Sequence, residues 1–419
     1  MRTLLILLAT TAVAQRSPQT HPSHTTENLR GASTVSQTIA WASGTHGTYL
    51  LTTDAGRTWT PAQVPDAAAL DFRAVVAFSA SEAFLMSAGP GDQSRIYHTT
   101  DAGQHWQLQF TNTNPKGFFD SMVFWDPTHG IVLGDPIPDE AGKLKFELLI
   151  TNNGQTWTPI PPAQLPPALE GEAAFAASNT CIAILPSALS SPLVPSALVP
   201  SALVIPSEVK DLGFAATAHA ARTTATPPTP TWQSGASTQH QPSEKATAPD
   251  PNIWFATGGR AARVFYSPDR AQTWQVFDTP ILHGPDSAGI FSIAFRDPTH
   301  GVIAGGDYKH PDRDGPNLAF TNDGGKTWTL SQIFPQSYYS AAAYDQGRKN
   351  PKAQDFAENQ AHVRLFLVGP KFIYDFRPPR NPTRISPPKK SGLHFNALSP
   401  YPTGGALIVG PKGSIAIIP

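Results

Sequence analysis

The sequence predicts an all-β fold, a seven-bladed β-propeller of four-stranded antiparallel blades closed by pairing of its N- and C-terminal strands. Three observations point there. An eight-residue segment occurs five times, most copies stand about 50 residues apart, and each interval holds short strand-like runs separated by turn residues.

The segment is first met as "TTDAGRTW" (Thr52 to Trp59) and again as "TTDAGQHW" (Thr99 to Trp106). Looser copies are "ITNNGQTW" (Ile150 to Trp157), "SPDRAQTW" (Ser267 to Trp274) and "TNDGGKTW" (Thr321 to Trp328). Against a template of Ser/Thr-x-Asp-x-Gly-x-x-Trp, the third copy puts Ile150 and Asn152 at the first two fixed positions, and the fourth puts Ala271 at the glycine. The chemistry is that of a hairpin turn. An Asp or Asn side chain accepts N–H bonds from the residues ahead of it, Gly tolerates a positive φ, and Trp folds an apolar face back onto the sheet. These groups are spent on internal contacts, so the octet is read as fold and function is sought elsewhere.

The octet tryptophans Trp59, Trp106, Trp157, Trp274 and Trp328 give spacings of 47, 51, 117 and 54. The long interval contains residues 186–250, with the near-tandem "PSALSSPLVPSALVPSALVIPSEV" and then a tract rich in Ser, Thr, Pro, Ala and Gln. Neither part can build a core, so 186–250 is expected to be a disordered insertion in a loop. Without it the interval falls to 52 and the period is restored.

Within a period, "FRAVVAFS", "EAFLMSA", "RIYHTTD" and "WQLQF" illustrate four strands of one blade. Two further units lack the octet but share the turn "VGPK": "AHVRLFLVGPKFIYDF" and the C-terminal "GGALIVGPKGSIAIIP". They bring the count to seven. The last unit stops at its third strand, Ser414 to Ile418, which would leave an open edge. Residues Pro22 to Asn28 are placed to supply the missing outer strand.

The octet resembles the Asp-box, or bacterial neuraminidase repeat. The runs "FFDSMVFWDPTHGIVLGDP", "GEAAFAAS", "WFATGGRAARVF", "SAGIFSIAFRDPTHG" and "AGGDY" resemble an exported bacterial family over residues 30–419 apart from the insertion. That family is similar to the photosystem II stability/assembly factor of plants and cyanobacteria, and its members are often labelled oxidoreductase. The resemblance implies a seven-bladed propeller that holds a partner protein rather than turning over a substrate.

Composition narrows the function further. The net charge is −1 with acidic and basic residues interspersed, so no basic stripe for nucleic acid exists. The N-terminus "MRTLLILLATTAVAQ" sets Arg2 before an apolar run and ends on Ala12-Val13-Ala14, which reads as a signal peptide over 1–14, too short for a membrane span. The mature chain, 15–419, is expected to be one propeller, monomeric, in the periplasm or outside the cell. Its single cysteine, Cys181, cannot form an intramolecular disulfide.

In a propeller the first strand of each blade lines the channel, and its start shares a face with the loop between strands two and three. Aligning the innermost strands on a small residue gives a column at the channel mouth of Arg30, Arg73, Asp120, Glu172, Phe291, Ser340 and Asn396. The next column, Gly31, Ala74, Ser121, Ala173, Ser292, Ala341 and Ala397, is uniformly small, as crowding near the axis demands. Loops on the same face add "GDP", "TGGRAAR" and "GGDYKHPDRDG", with Asp135, Arg260, Arg263, Asp307, Tyr308 and Lys309. The partner-binding set expected from this is Arg30, Arg73, Asp120, Asp135, Glu172, Arg260, Arg263, Asp307, Tyr308 and Asn396. The plainer alternative is a rim of charges paired with one another at small energetic value.

Other motifs carry less. "DPTHG" at Asp126 and again at Asp297 reads as a repeated turn rather than a metal site, and "DRDG" from Asp312 lacks the other ligands of a calcium loop. No Gly-rich phosphate loop opens a helix, so no cofactor is expected and the oxidoreductase label finds no nucleotide site. The favoured function is a non-enzymatic, exported, protein-binding or assembly scaffold. The alternative is a sialidase-like glycoside hydrolase, which needs arginines, a Tyr-Glu pair and an Asp to converge. "RIS" at Arg384 is the nearest match to an early Arg-Ile-Pro and lies in the wrong region.

Overall fold

The computed structural model describes residues 18–185, 252–332, 337–345, 363–370, 372–376, 383–385 and 395–419. The chain divides into two units, Met1–Ser187 with Asp250–Pro419, and Ala188–Pro249, and the described residues all belong to the first. The expected signal peptide, 1–14, and the whole of the insertion, 186–250, lie outside them.

Seven antiparallel sheets follow one another along the chain, built of consecutive hairpins apart from a two-strand extension on the fifth and an N-terminal strand added to the seventh. Their innermost strands are Leu29–Thr34, Phe72–Ala77, Phe119–Asp126, Ile182–Leu185, Ala288–Phe295, Ala341–Asp345 and Ala397–Pro400, which define blades 1 to 7. This is the seven-bladed propeller. Among the described residues the only helical pieces are two single 3₁₀ turns, Gly91–Gln93 and Pro162–Gln164, and no helix is long and apolar enough to cross a membrane.

Blade 7 is completed by Gln19–His21, which pairs antiparallel with Ser414–Ile418 through Gln19↔Ile417, Thr20↔Ala416 and His21↔Ile415. The closing strand therefore lies just ahead of the expected Pro22 to Asn28. The proline explains the shift, because it lacks the N–H a sheet ladder needs.

The core is distributed between blades rather than inside them. Seven buried apolar clusters occur, one at each junction, from Trp41, Tyr49 and Phe72 between blades 1 and 2 round to Leu29, Trp59 and Leu407 between blades 1 and 7. Both faces of most second strands are buried, as in Ala40–Gly44 and Ala83–Ser87, which explains their unbroken apolar runs.

All five octets join the third and fourth strands of their blades. In blade 1, Thr52 Oγ1 donates to Asp54 Oδ1 (2.9 Å) and accepts from the Gly56 N–H (3.0 Å), while Asp54 accepts from the Thr58 N–H (2.9 Å). Blades 2, 4 and 5 repeat this, and Ala271 takes the glycine's place at φ 65°. Blade 3 differs from the aligned template. Thr151 and Asn153, not Ile150 and Asn152, make the bonds, with the Gly154 N–H reaching Thr151 Oγ1 at 3.0 Å. The other four turns carry two successive positive-φ residues and this one carries only Gly154, so the turn is one residue shorter and the polar pair moves one place along.

Candidate channel-mouth site

Antiparallel order places the octets and the connections between strands one and two on one face. The starts of the innermost strands and the loops between strands two and three lie on the other. On that second face a cavity of about 510 Å³ opens at the channel axis. Arg30, Arg73, Asp120, Asp135, Tyr308 and Asn396 of the expected set line it, together with Phe291 and Ser340 of the same column.

A β-bulge explains why this column points into the channel. The pairing of innermost with second strand slips between Leu29 and Gly31, Phe72 and Ala74, Phe119 and Ser121, and Ile290 and Ser292. The extra residue in each case is Arg30, Arg73, Asp120 or Phe291, left without a ladder partner and re-aimed. The residue after it faces the neighbouring blade at close range. A Cβ on Gly31 would stand 2.5 Å from Ser43 Oγ and 3.0 Å from the Val75 nitrogen, and Ser292 Oγ donates to the Ala342 carbonyl (3.2 Å). Crowding against the second strand of the same blade and against the neighbouring blade, rather than at the axis, keeps that column small.

Glu172 is placed elsewhere. Blade 4 begins at Ile182, whose partner is Phe255, while Glu172–Ala173 pairs with Gly258–Gly259 as a two-residue extension on the inner edge of the blade 5 sheet. The Glu172 carboxylate is fully buried. It accepts from Thr257 Oγ1 (2.6 Å), Arg263 Nε (2.9 Å) and the Leu169 N–H (2.9 Å), and a second bond comes from Arg263 Nη2. Glu172 and Arg263 are thus each other's partners and neither lines the cavity. Arg260 is exposed beside Gly171. Asp307 is buried at the start of its loop, holding the Lys309 N–H (3.0 Å) and His310 Nδ1 (2.8 Å).

Between Ala173 and Ala177 the chain crosses the mouth and supplies one wall, with the Phe175 ring stacked on Phe291 at 4.0 Å. Its backbone is read by both signs of charge. Arg73 Nη1 donates to the Ala176 carbonyl (3.2 Å), the Ala176 N–H acts on the Asp120 carboxyl, and the Ala174 N–H bonds Asp135 Oδ1 (3.0 Å). On the basic side, Arg73 Nε donates to Asp71 Oδ2 (2.9 Å), and Arg30 Nε lies 3.8 Å from the same oxygen. Tyr338 completes the wall and packs edge-on to Phe291 at 5.0 Å. Sequence reasoning missed Asp71, Phe175 and Tyr338. Asp71 and Tyr338 lie just outside strands and carry no periodic signal, while Phe175 sits in a run that reads as a strand.

The acidic side is electrostatically strained. Burial, and then the neighbouring Asp135 carboxylate, push Asp120 well above the ordinary carboxylate range against the pull of Arg73 and the Ala176 N–H. Burial pushes Asp135 up to about 6, opposed by the Ala174 N–H. A carboxyl that holds its proton more tightly when folded destabilises the fold as pH rises from the unfolded pKa, about 4, through the folded one. Asp135→Asn is therefore expected to raise stability at pH 8 by up to about 3 kcal/mol and to flatten the decline between about pH 4 and 7, measured by denaturant melts across pH. A variant less stable than the parent at pH 8 would show that the acid already has a stabilising counter-charge.

A second cavity of about 320 Å³ lies on the octet face between blades 5 and 6, among Phe320, Tyr344, Leu365 and Phe376, with Arg296 and His300 at its edge. Blade 6 has no octet, so no octet tryptophan is available to that junction. Both "DPTHG" segments lie on this face and are turns, with Asp126 and Asp297 each accepting N–H bonds from the following Thr and His.

No protein-family model matches the chain, and no curated protein matches it in sequence. Among solved structures it is similar to "YCF48 bound to D1 peptide", with a TM-score of 0.57 and 14% identity over 98% of this chain and 99% of that one. It is also similar to YCF48 from Cyanidioschyzon merolae (0.54, 15%, 96% and 98%) and to the WD40 β-propeller domain of Doa1 (0.51, 8%, 96% and 96%). At these identities the likeness is one of fold.

Proposed function

We propose that the chain is an exported, non-enzymatic propeller that captures a protein partner at the channel mouth. The observation that carries this reading is the cavity itself. Bulged residues of blades 1, 2 and 3 bring Arg30 and Arg73 to one side and Asp120, with Asp135, to the other, beside exposed Tyr308. A split field of this kind orients a segment of mixed charge and gives association that weakens with salt. Such cavities are also expensive in stability, because two buried acids repel, and that expense is characteristic of sites kept for binding. The similar fold solved with a D1 peptide is a propeller that holds a peptide, which supports the same class of role here.

Arg73→Glu is expected to lower recovery of native envelope partners at least tenfold per folded molecule in crosslinking from the producing cell. Equal recovery by variant and parent would remove the mouth as the binding site. Cleavage of a fluorogenic glycoside by the parent, lost in Asp120→Asn, would move the reading to the hydrolase. Glu172 is not the residue to test for that, because its carboxylate is closed off by Arg263.

A further inference from the structure

We propose that the acidic side of the mouth receives a lysine side chain of the protein partner, its ammonium held at the free carboxylate oxygen of Asp120 beside Asp135. The inference rests on reading the mouth as the partner site.

Asp120 is 1% exposed and lines the cavity, and its Oδ2 has no hydrogen-bond partner. An acceptor buried in that way is costly unless a donor arrives, and almost all buried polar groups in folded proteins have one. The nearest cation, Arg73, pulls on Asp120 without donating to its Oδ2. Arg73 spends Nε on Asp71 and Nη1 on the Ala176 carbonyl. Asp135 adds a second acid and has already given Oδ1 to the Ala174 N–H. The site is short of positive charge.

The walls select among cations. Ala173, Ala174, Ala177 and the stacked Phe175 and Phe291 give an apolar lining that suits a four-carbon stem, and aromatic rings favour a cation lodged among them. A guanidinium is best matched by two coplanar oxygens, whereas Asp120 offers one, so a compact ammonium fits better. On the opposite wall Arg30 and Arg73 suit an acidic group of the same segment.

The test uses the full chain at pH 8 and the probe Nα-acetyl-L-lysine methylamide, followed by NMR titration and calorimetry. The parent is expected to bind it. Asp120→Asn is expected to weaken binding at least tenfold, and Nε-acetylation of the probe to do the same. Because the ammonium needs ionised acid, binding should strengthen at least tenfold from pH 5 to pH 8 as Asp135, pushed up to about 6, and Asp120, which is also raised, give up their protons. The groups facing Asp120 are Asp135, Arg73, Glu147 and Cys181, and burial holds the thiol neutral by raising it to about 12. Calorimetry in phosphate and in Tris should show net proton release at pH 7.

Asp→Asn preserves shape, and the melting temperature of Asp120→Asn reports whether the fold survives. Cadaverine binding more tightly than the lysine probe would overturn the proposal in favour of a free diamine. Retention of probe binding by Asp120→Asn would overturn it outright, and if Arg73→Glu still lost the native partner, the mouth reading would stand without it. Loss of probe binding with native partner recovery unaffected by either variant would instead sink the mouth reading on which it rests.

Discussion

Arg263→Ala is expected to destabilise the fold by about 3 to 5 kcal/mol, because removing one partner leaves a fully buried carboxylate without its counter-charge. Glu172 has no exposed side-chain surface, and Arg263 supplies two of its hydrogen bonds while lying over the Phe265 ring at 4.9 Å. Arg263 Nη2 also donates to the Pro167 carbonyl (3.2 Å), so the pair fastens residues 167–172 to the blade 4 loop that begins at Thr257. Arg263→Met combined with Glu172→Gln should cost much less than either single change predicts, and the cycle isolates the coupling. A loss within about 0.5 kcal/mol would mean that the pair behaves as an ordinary surface bridge.

This pair also shows where sequence reading stops. Arg263 and Glu172 each stand at a strand start on the mouth face and each carries a charge, so the sequence offers both to a partner. Ninety-one positions of separation hid that they satisfy each other. The register of Glu172 was lost for a related reason. Alignment on a small residue can be anchored at Gly31 by the bulky Leu29 and Arg30 before it, whereas "GEAAFAAS" offers Ala173, Ala174, Ala176 and Ala177 around a single Phe175. The true strand, Ile182–Leu185, is identified only by what it pairs with, Asn252–Ala256, across the inserted residues.

Features with a local cause were legible. The octet turn depends on a hydroxyl, a carboxylate and a positive φ within five residues, so five hairpins could be counted before any long-range contact was known. The one-residue slip in blade 3 escaped because Thr151 and Asn153 alternate with Ile150 and Asn152, and only the shortened turn chooses between them. The polar column was visible as a pattern, but its cause was not. A bulge leaves no periodic trace when the residue after it is small and the run resumes, and Arg30, Arg73 and Asp120 simply read as polar residues at strand starts.

Trp59→Ala is expected to cost about 3 to 5 kcal/mol, the range for large aromatic truncations in a core, and to cost more than Trp106→Ala. Trp59 is 2% exposed and packs with Leu29, Ala42 and Leu50 of blade 1 and with Leu407, Val409 and Ile415 of blade 7, whereas Trp106 is only partly buried. Its turn abuts the closing pair as well, since a Cβ on Gly56 would stand 2.5 Å from Ile417 Cδ1, and Ile417 is the register partner of Gln19. The indole therefore fills the junction at which the ring is fastened, and the cavity left by its removal lies beside the strand that the N-terminal segment supplies. Removing residues 18–21 together with Trp59→Ala should give a loss different from the sum of the two, because both act on that junction. Chemical denaturation of the four chains measures this. Capture of a partner per folded molecule should be unchanged, since the octet face is opposite the mouth. A loss below about 1 kcal/mol would show that the blade 1 octet is not a fastening element, and lost capture with stability intact would move the binding site to the octet face.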